Sequence, residues 1–526
     1  MRFEVLVLAS EAVKQTRSRS QKLEHLAACI AELGADPPPA DPDRPRRTSL
    51  RVGVAYLAGE LPQGRIGLGP AAVFRNPPGS AREAGELSVQ DVDRAFDAIA
   101  EVNGAGAVRE RMRLWLGLLE SATALEQTFL RRLVVGELRQ GALESLVADA
   151  AAKAAKVSPG SLRRALMLSG SLPEVADAAM SGGEPALARY HIQLFRPLLP
   201  MLAHTAETPE AALESLSRAV FEYKLDGARI QVHKDGRDVR VYTRQLSDVT
   251  AAVPEVVEHT LALGAQRLVL DGEVLSLQPD GTPEPFQVTM RRFGRKLDVP
   301  ALREAQPLSP FFFDILHRDG ADLIDVGTAE RLALLDDAVP SAQRMPRLVS
   351  ADPAEAAAFF DSALDAGHEG VMAKALDANY AAGRRGQSWL KVKSHHTLDL
   401  VVIGVEWGSG RRQGWLSNLH LGARSLDDGF VMVGKTFKGL TDELLTWQTQ
   451  ALLEREVARE AFTVYVRPEL VVEIAFNDVQ QSPHYPGGVA LRFARVKRYR
   501  PDKSALEADT ILSVRALCPS LASTPP

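Results

Sequence analysis

The sequence predicts a multidomain chain: an all-α N-terminal domain, an α+β middle domain with antiparallel sheets, and a C-terminal β-barrel. Three observations predict it. At 526 residues the chain exceeds one ordinary hydrophobic core and implies roughly two to four domains. Apolar residues recur at helical spacing through the first 195 positions. Beyond Pro197-Leu198-Leu199-Pro200 they alternate as in strands, and from Leu398 short alternating runs recur with one helix among them.

The expected domains are residues 1–195, 196–394 and 395–516, followed by a disordered tail at 517–526. In the first, Leu118, Ala122, Leu125, Phe129 and Leu133 form one apolar stripe and predict one helix. The Pro-rich stretch Asp36 to Arg47 reads as a loop or linker. Two basic groups stand out: Arg109, Arg111 and Arg113, then Lys153, Lys156, Arg163 and Arg164. Either alone reads as a solvated helix face; in a nucleic-acid enzyme they would be phosphate contacts.

In the second domain, Ile230, Val232, Asp235-Gly236, Val239 and Val241 alternate around a hairpin turn. Leu268 to Leu277 reads as a strand interrupted by Asp271-Gly272, and Phe311-Phe312-Phe313 begins a buried strand. Thr328 to Asp337 and Pro353 to Ala366 read as helices. In the third, strands are expected at Leu400–Val405, Leu419–Ala423, Phe430–Val433, Phe462–Val466 and Leu470–Ala475, with a helix over Asp442–Arg459. Five short strands and one helix fit a small closed barrel such as an OB-fold.

Bulk composition narrows the class. Hydrophobic content of 45% and charged content of 25% are ordinary for a soluble globular protein. Cys29 and Cys518 are too far apart for a disulfide framework or a structural zinc site, which points to a reducing cytoplasm. The apolar start Met1 to Leu8 is broken by Glu4 and lacks a cleavage-like site, so no signal peptide is expected, and no apolar run reaches membrane-spanning length. The net charge of −5 neither favours nor excludes nucleic acid, because affinity follows local basic surface.

Six clusters carry the chemistry. They are Glu222-Tyr223-Lys224-Leu225-Asp226-Gly227-Ala228-Arg229, Leu270-Asp271-Gly272-Glu273-Val274, Phe313-Asp314-Ile315-Leu316, Glu369-Gly370-Val371-Met372-Ala373-Lys374, Trp389-Leu390-Lys391-Val392-Lys393 and Arg498-Tyr499-Arg500-Pro501-Asp502-Lys503. Each has a plain reading alone: a turn after a strand, a core phenylalanine, a solvated strand face, a charge run. Their joint order decides otherwise. In identity, order and spacing they resemble the motifs of the ATP-dependent DNA ligases of the covalent nucleotidyltransferase superfamily, and the bacterial three-domain members most. Gly136-Glu137-Leu138-Arg139-Gln140-Gly141 and Pro200-Met201-Leu202-Ala203 resemble that family's helical DNA-binding domain and its junction.

The resemblance implies a two-transfer adenylation chemistry. Lys224 would attack the α-phosphate of ATP, AMP would pass to the 5′-phosphate of a nick, and the 3′-hydroxyl would displace AMP. A free lysine has a pKa of ~10.4 and must lose its proton to attack, which neighbouring cations such as Lys391 and Lys393 would favour. By resemblance, Glu222 belongs to the nucleotide pocket, Phe313 stacks on adenine, Arg229 touches the ribose and Glu273 lies near ribose and metal. Glu369 is the first choice for a magnesium-side carboxylate, since hard phosphate oxygens call for Mg2+. Arg244 would read the 5′-phosphate. Arg500, Asp502 and Lys503 would orient pyrophosphate from the barrel domain, with a hinge near Lys393 to Leu398. Arg109, Arg139, Lys153, Lys156 and Arg163 are the expected DNA contacts.

The partner implied is nicked duplex DNA, engaged by a monomer in the bacterial cytoplasm, associated with the nucleoid, with no membrane and no zinc. His317, His395 and His396 have no zinc-ligand spacing with cysteine, and the absence of a four-cysteine cluster argues against the NAD-dependent architecture. The rivals are an RNA ligase, a capping guanylyltransferase or another covalent nucleotidyltransferase, and a DNA-binding protein with a dead transferase core. Replication, repair and recombination all need the same chemistry.

Overall fold

Helices open the chain and sheets close it. A computed structural model describes residues 1–37, 47–75, 81–138, 144–284, 286–294, 299–381, 385–393, 396–425, 427 and 429–518. Two compact units emerge, Met1–Val392 and Lys393–Pro526.

From Phe3–Gln15 to Leu172–Leu187 the elements are helices around one core that includes Phe3, Tyr56, Phe96 and Trp115. The stripe expected as one helix is two, Ala107–Glu120 and Ala124–Val134. The break is a capping box: the Thr123 side chain accepts the Glu126 N–H, and the Glu126 carboxylate accepts the Thr123 N–H at 2.8 Å. Leu125 lies beside that cap and is exposed instead of in the stripe.

Two five-stranded sheets follow in the same unit. Their strands are β1 (Leu202–Ala206), β2 (Ala219–Tyr223), β3 (Ala228–Asp235), β4 (Asp238–Thr243), β5 (Arg267–Ser276), β6 (Leu308–Arg318), β7 (Ala321–Asp322), β8 (Arg347–Ser350), β9 (Gly370–Ala375) and β10 (Arg385–Lys393). The orders are β1-β10-β9-β2-β8 and β4-β3-β5-β6-β7. The expectation of antiparallel sheets needs one correction: β1 runs parallel to β10. A parallel pair needs a long crossover, and β2 to β9 all separate these two strands in sequence.

Asp271-Gly272 does not interrupt β5. The strand runs through it with a bulge. Gly272 suits the position, because a Cβ there would meet the Phe312 ring at 2.9 Å and the Phe311 carbonyl at 3.0 Å.

The helical residues and the sheets share one unit because the segment between them is captured by side chains of β3, of β4 and of the loop between β9 and β10. The Phe195 N–H donates to His233 Nδ1 at 3.0 Å, and the Tyr242 hydroxyl donates to Phe195 O at 2.8 Å. The Leu198 N–H donates to Gln231 Oε1 at 2.7 Å and the Met201 N–H to the Tyr380 hydroxyl at 3.1 Å. Irregular backbone needs such partners once buried.

The second unit holds β11 (His396–Trp407), β12 (Leu416–Arg424), β13 (Phe430–Thr436), β14 (Glu456–Glu460), β15 (Thr463–Val466), β16 (Val471–Phe476), β17 (Asp478–Gln481), β18 (Val489–Arg492) and β19 (Arg495–Tyr499). Seven form one sheet with the path β13-β12-β11-β15-β14, β16 bridging β11 and β19; β17 and β18 pair separately. The helix expected over Asp442–Arg459 ends at Leu453, and its last part is instead strand β14. The chain turns because Val464 and Val466 of β15 bury their side chains while β14 pairs alongside. The expected tail begins too early: Cys518 is buried in this unit's core with Ile511 and Val514, and residues 519–526 lie outside the described residues. Among the described residues no helix is long and apolar enough to cross a membrane.

Glu406 of β11 gives this unit an acid-sensitive contact. Burial pushes its carboxyl up, but hydrogen bonds from Lys435, His420 (3.0 Å) and Asn418 (2.7 Å) outweigh it and hold the pKa at about 2. The unfolded value is ~4.3. The folded pKa is therefore depressed, so the stabilisation is full above the unfolded value and is lost as pH falls toward 2. Thermal unfolding of wild type and Glu406→Gln should differ most near pH 6 and converge only as pH falls to about 2. A difference that stays constant across that range would contradict the assignment.

Candidate active site

Lys224 lies in the short loop from β2 to β3. Its backbone is clamped: its N–H donates to Gly370 O at 2.8 Å, and its C=O accepts the Glu369 N–H at 3.1 Å. The loop passes close to β5 because residue 227 is glycine; a Cβ there would sit 2.5 Å from Val274 O and 2.9 Å from Glu273 Cγ. The Lys224 ammonium pairs with Glu369 at 2.5 Å, both side chains about one-fifth exposed.

Glu273 projects from β5 opposite Arg229 of β3. Burial pushes its carboxyl up to about 7, against the pull of Lys224 and Arg229, while Asp226 and Glu369 add to the rise. Carboxylates crowded in this way are short of positive charge. Among the described residues no three His, Cys, Asp or Glu side chains form a metal cage. Glu273 and Glu369 thus fit magnesium, which takes one or two carboxylates and completes its shell with water and phosphate oxygens.

Phe313 of β6 meets Trp389 of β10 edge-on at 6.1 Å. Lys374 of β9 is 1% exposed, with Nζ 4.6 Å from the Phe313 ring centre and 4.4 Å from that of Trp389. It donates to Phe313 O at 3.2 Å and pairs with Glu222 of β2 at 2.6 Å. Burial pushes the Glu222 carboxyl up and Lys374 opposes that. Glu222 is therefore the buried partner that holds Lys374 beneath Phe313 and Trp389.

Arg229 is committed to protein groups. Its Nη1 donates to Met201 O at 2.7 Å, and its Nη2 donates to Asp271 at 2.7 Å and to the Tyr380 hydroxyl at 3.2 Å. Its guanidinium also lies 5.4 Å from the Phe313 ring centre. A ribose contact would be made alongside these bonds. Lys391 lies opposite Thr205 in the β1–β10 pair, and Lys393 ends β10; both are partly exposed beside buried Leu390 and Val392. Arg244 follows β4 directly, is exposed, and makes no ion pair among the described residues.

In the second unit, Arg500 pairs with Asp399 at 3.0 Å and Asp502 at 2.7 Å, and Lys503 pairs with Asp399 at 2.6 Å. The expected hinge reaches too far. His396 to Leu398 already pair with Phe476 to Ile474 in β11 and β16, and residues 394–395 fall outside the described residues. This unit also opens a cavity of about 1040 Å³, lined by Glu406, Asp442 and Glu443 with Arg412 as its cation among the described residues. That charge balance is wrong for a polyphosphate.

Three family models match the chain: the ATP dependent DNA ligase domain over residues 200–393, the ATP dependent DNA ligase C terminal region over 412–503, and the DNA ligase N terminus over 64–152. A protein of Anaeromyxobacter sp. (strain Fw109-5), described as a probable DNA ligase, is 54% identical over 98% of this chain and 98% of its own. The chain belongs to the ATP-dependent DNA ligase family. A probable DNA ligase of Saccharopolyspora erythraea is 52% identical over 97% of this chain and 96% of its own. The solved structure described as Pmar-Lig_PreS3 shares the fold, with a TM-score of 0.62 at 20% identity, covering 94% of this chain and 99% of that one.

Within the ligase, sequence reasoning placed Lys374 in its fourth cluster without giving it a role, and missed Tyr380 and Asp399. Lys374 carried a signal, a lysine closing an apolar strand. Tyr380 and Asp399 carried none, because their partners Arg229 and Arg500 lie far away in sequence. Among the basic residues of the helical part, Arg109 and Lys156 are exposed without an ion pair to a described residue. Lys153 pairs with Glu24 and Arg163 with Asp149 at 2.6 Å. The stretch from Lys153 to Arg164 has no acid of its own, and the tertiary fold supplies them. Arg139 lies outside the described residues.

Proposed function

We propose that this ligase seals nicks in duplex DNA with Lys224 as its covalent nucleophile. The observation that carries the reading is Lys224 itself, its backbone clamped by Glu369-Gly370 and its amine set among the carboxylates of Glu369 and Glu273. A surface lysine would need neither the clamp nor the carboxylates.

In the first transfer the neutral Lys224 amine attacks the α-phosphorus of ATP. A P–N bond forms, the P–O bond to pyrophosphate breaks, and the amine's proton is lost. AMP then passes to the 5′-phosphate of the nick as Lys224 leaves and takes back a proton. The 3′-hydroxyl attacks that activated phosphorus and AMP departs. Phe313 supplies the aromatic face for the base, and Lys391 and Lys393 meet charge on the α-phosphate. When bound, magnesium held by Glu369 and Glu273 supplies further charge neutralisation at phosphate oxygens. Arg244 serves the 5′-phosphate.

The domain reading supports this cycle: residues 1–195 as a helical DNA-binding domain, 196–394 as the adenylation domain and 395–518 as an OB-fold domain. Arg109 and Lys156 are the phosphate contacts favoured, since Lys153 and Arg163 would first exchange Glu24 and Asp149 for phosphate. The protein works as a monomer without zinc.

Arg500 and Lys503 are assigned to the first transfer alone. Arg500→Ala and Lys503→Ala should each slow formation of the labelled lysyl-AMP, while sealing of a chemically pre-adenylated nick proceeds within about twofold of wild type. Equal losses in both steps would remove this assignment. Sealing assays on DNA, RNA–DNA and RNA nicks, with ATP and with GTP, test the whole reading; label taken from GTP and not from ATP would sink it.

A further inference from the structure

We propose that Asp399 is the positioning residue for the first transfer, the acid that aims Arg500 and Lys503. The inference rests on the assignment of those two cations to pyrophosphate. Arg500 follows β19 and Lys503 lies in the next turn, where the Lys503 N–H donates to Arg500 O at 3.1 Å. Two cations on one tight turn repel, and each side chain has many rotamers. Asp399 removes both problems. One carboxylate accepts Arg500 Nη1 at 3.0 Å and Lys503 Nζ at 2.6 Å.

Asp399 is itself rigidly held. It sits in β11, opposite Glu473 of β16. Its backbone N–H donates to Asp509 Oδ2 at 2.8 Å, and its C=O accepts the Asp509 N–H at 2.8 Å. Its side chain is 12% exposed, against 17% for Arg500 and 31% for Lys503. The most buried member of the trio is the acid, which has no phosphate to meet. The cations keep further N–H groups, since a guanidinium has five and an ammonium three. A cavity of about 200 Å³ opens beside them, lined by Thr397, Asp399, Glu473, Arg498, Arg500 and Asp509.

A fixed fork is worth most where charge moves in the transition state and nothing has to reorganise. Asp399 therefore contributes to the step that expels pyrophosphate and little to the step that joins DNA. The alternative is a latch, in which Asp399 holds the cations away from substrate.

The test uses the full-length protein. Asp399→Asn keeps size and hydrogen bonding but removes the charge. Lysyl-AMP formation from labelled ATP should fall on the order of 10- to 100-fold, the scale of a misplaced group, mainly in kcat. Sealing of a pre-adenylated nick should stay within about twofold. In an Arg500→Ala/Lys503→Ala background the same substitution should add no further loss, because nothing remains to be aimed. Additive losses, or equal losses in both steps, would mean a merely structural role and overturn the proposal. Faster adenylation would establish a latch and overturn it too. If Arg500→Ala and Lys503→Ala themselves fail to separate the steps, the underlying assignment falls first.

Discussion

Lys224→Ala should leave no covalent AMP on the protein. The expected loss in lysyl-AMP formation is on the order of 10⁴-fold or more, the scale seen when a covalent nucleophile is deleted. Lys224→Arg should lose as much. Arginine keeps the positive charge beside Glu369, 2.5 Å from the lysine ammonium, but it does not deprotonate in proteins and has no amine to offer. The two variants therefore separate charge from nucleophilicity. Sealing of a pre-adenylated nick should survive in Lys224→Ala, because that step passes through no lysine adduct. Label retained on Lys224→Ala, stable to washing and sensitive to acid, would place the nucleophile elsewhere.

Asp271→Ala should strongly destabilise the first unit. Asp271 is 1% exposed and accepts bonds from Arg229 (2.7 Å), the Tyr380 hydroxyl (2.6 Å) and Gln231 (3.1 Å). Removing it strands the buried Arg229 charge, a change that costs about 3–5 kcal/mol. The damage should spread, since Arg229, Gln231 and Tyr380 also hold the backbone of Leu198 and Met201. Urea unfolding of the full chain should show the first transition moved by that amount, with trypsin cutting more readily near Arg189 and Arg196. A shift below about 1 kcal/mol would show that the network is replaceable. Asp271→Asn, which keeps an acceptor, should cost less.

How much of this was legible beforehand varies with the kind of interaction. Lys224, Glu273 and Glu369, which the structure brings together, could be singled out because each lies in a short cluster whose order is itself informative. The helix break at Thr123 was legible too, since Thr123-x-x-Glu126 is a capping box; the apolar stripe simply drew the eye past it. The helix expected to run to Arg459 erred for another reason. Glu456 to Glu460 carries no strong local preference, and pairing with β15 decides it.

The sequence by itself determined the succession of helical, mixed and strand-rich regions and the family with its reaction, and it singled out the proposed nucleophile, because period, order and residue type are local properties. The tertiary structure alone decided which charges cancel. Lys374 meets Glu222, Arg229 meets Asp271, Arg163 meets Asp149 and Arg500 meets Asp399. Those pairings join residues that chain entropy keeps apart until the strands are in register, and Coulomb energy depends on distance in space, which no stretch of sequence contains.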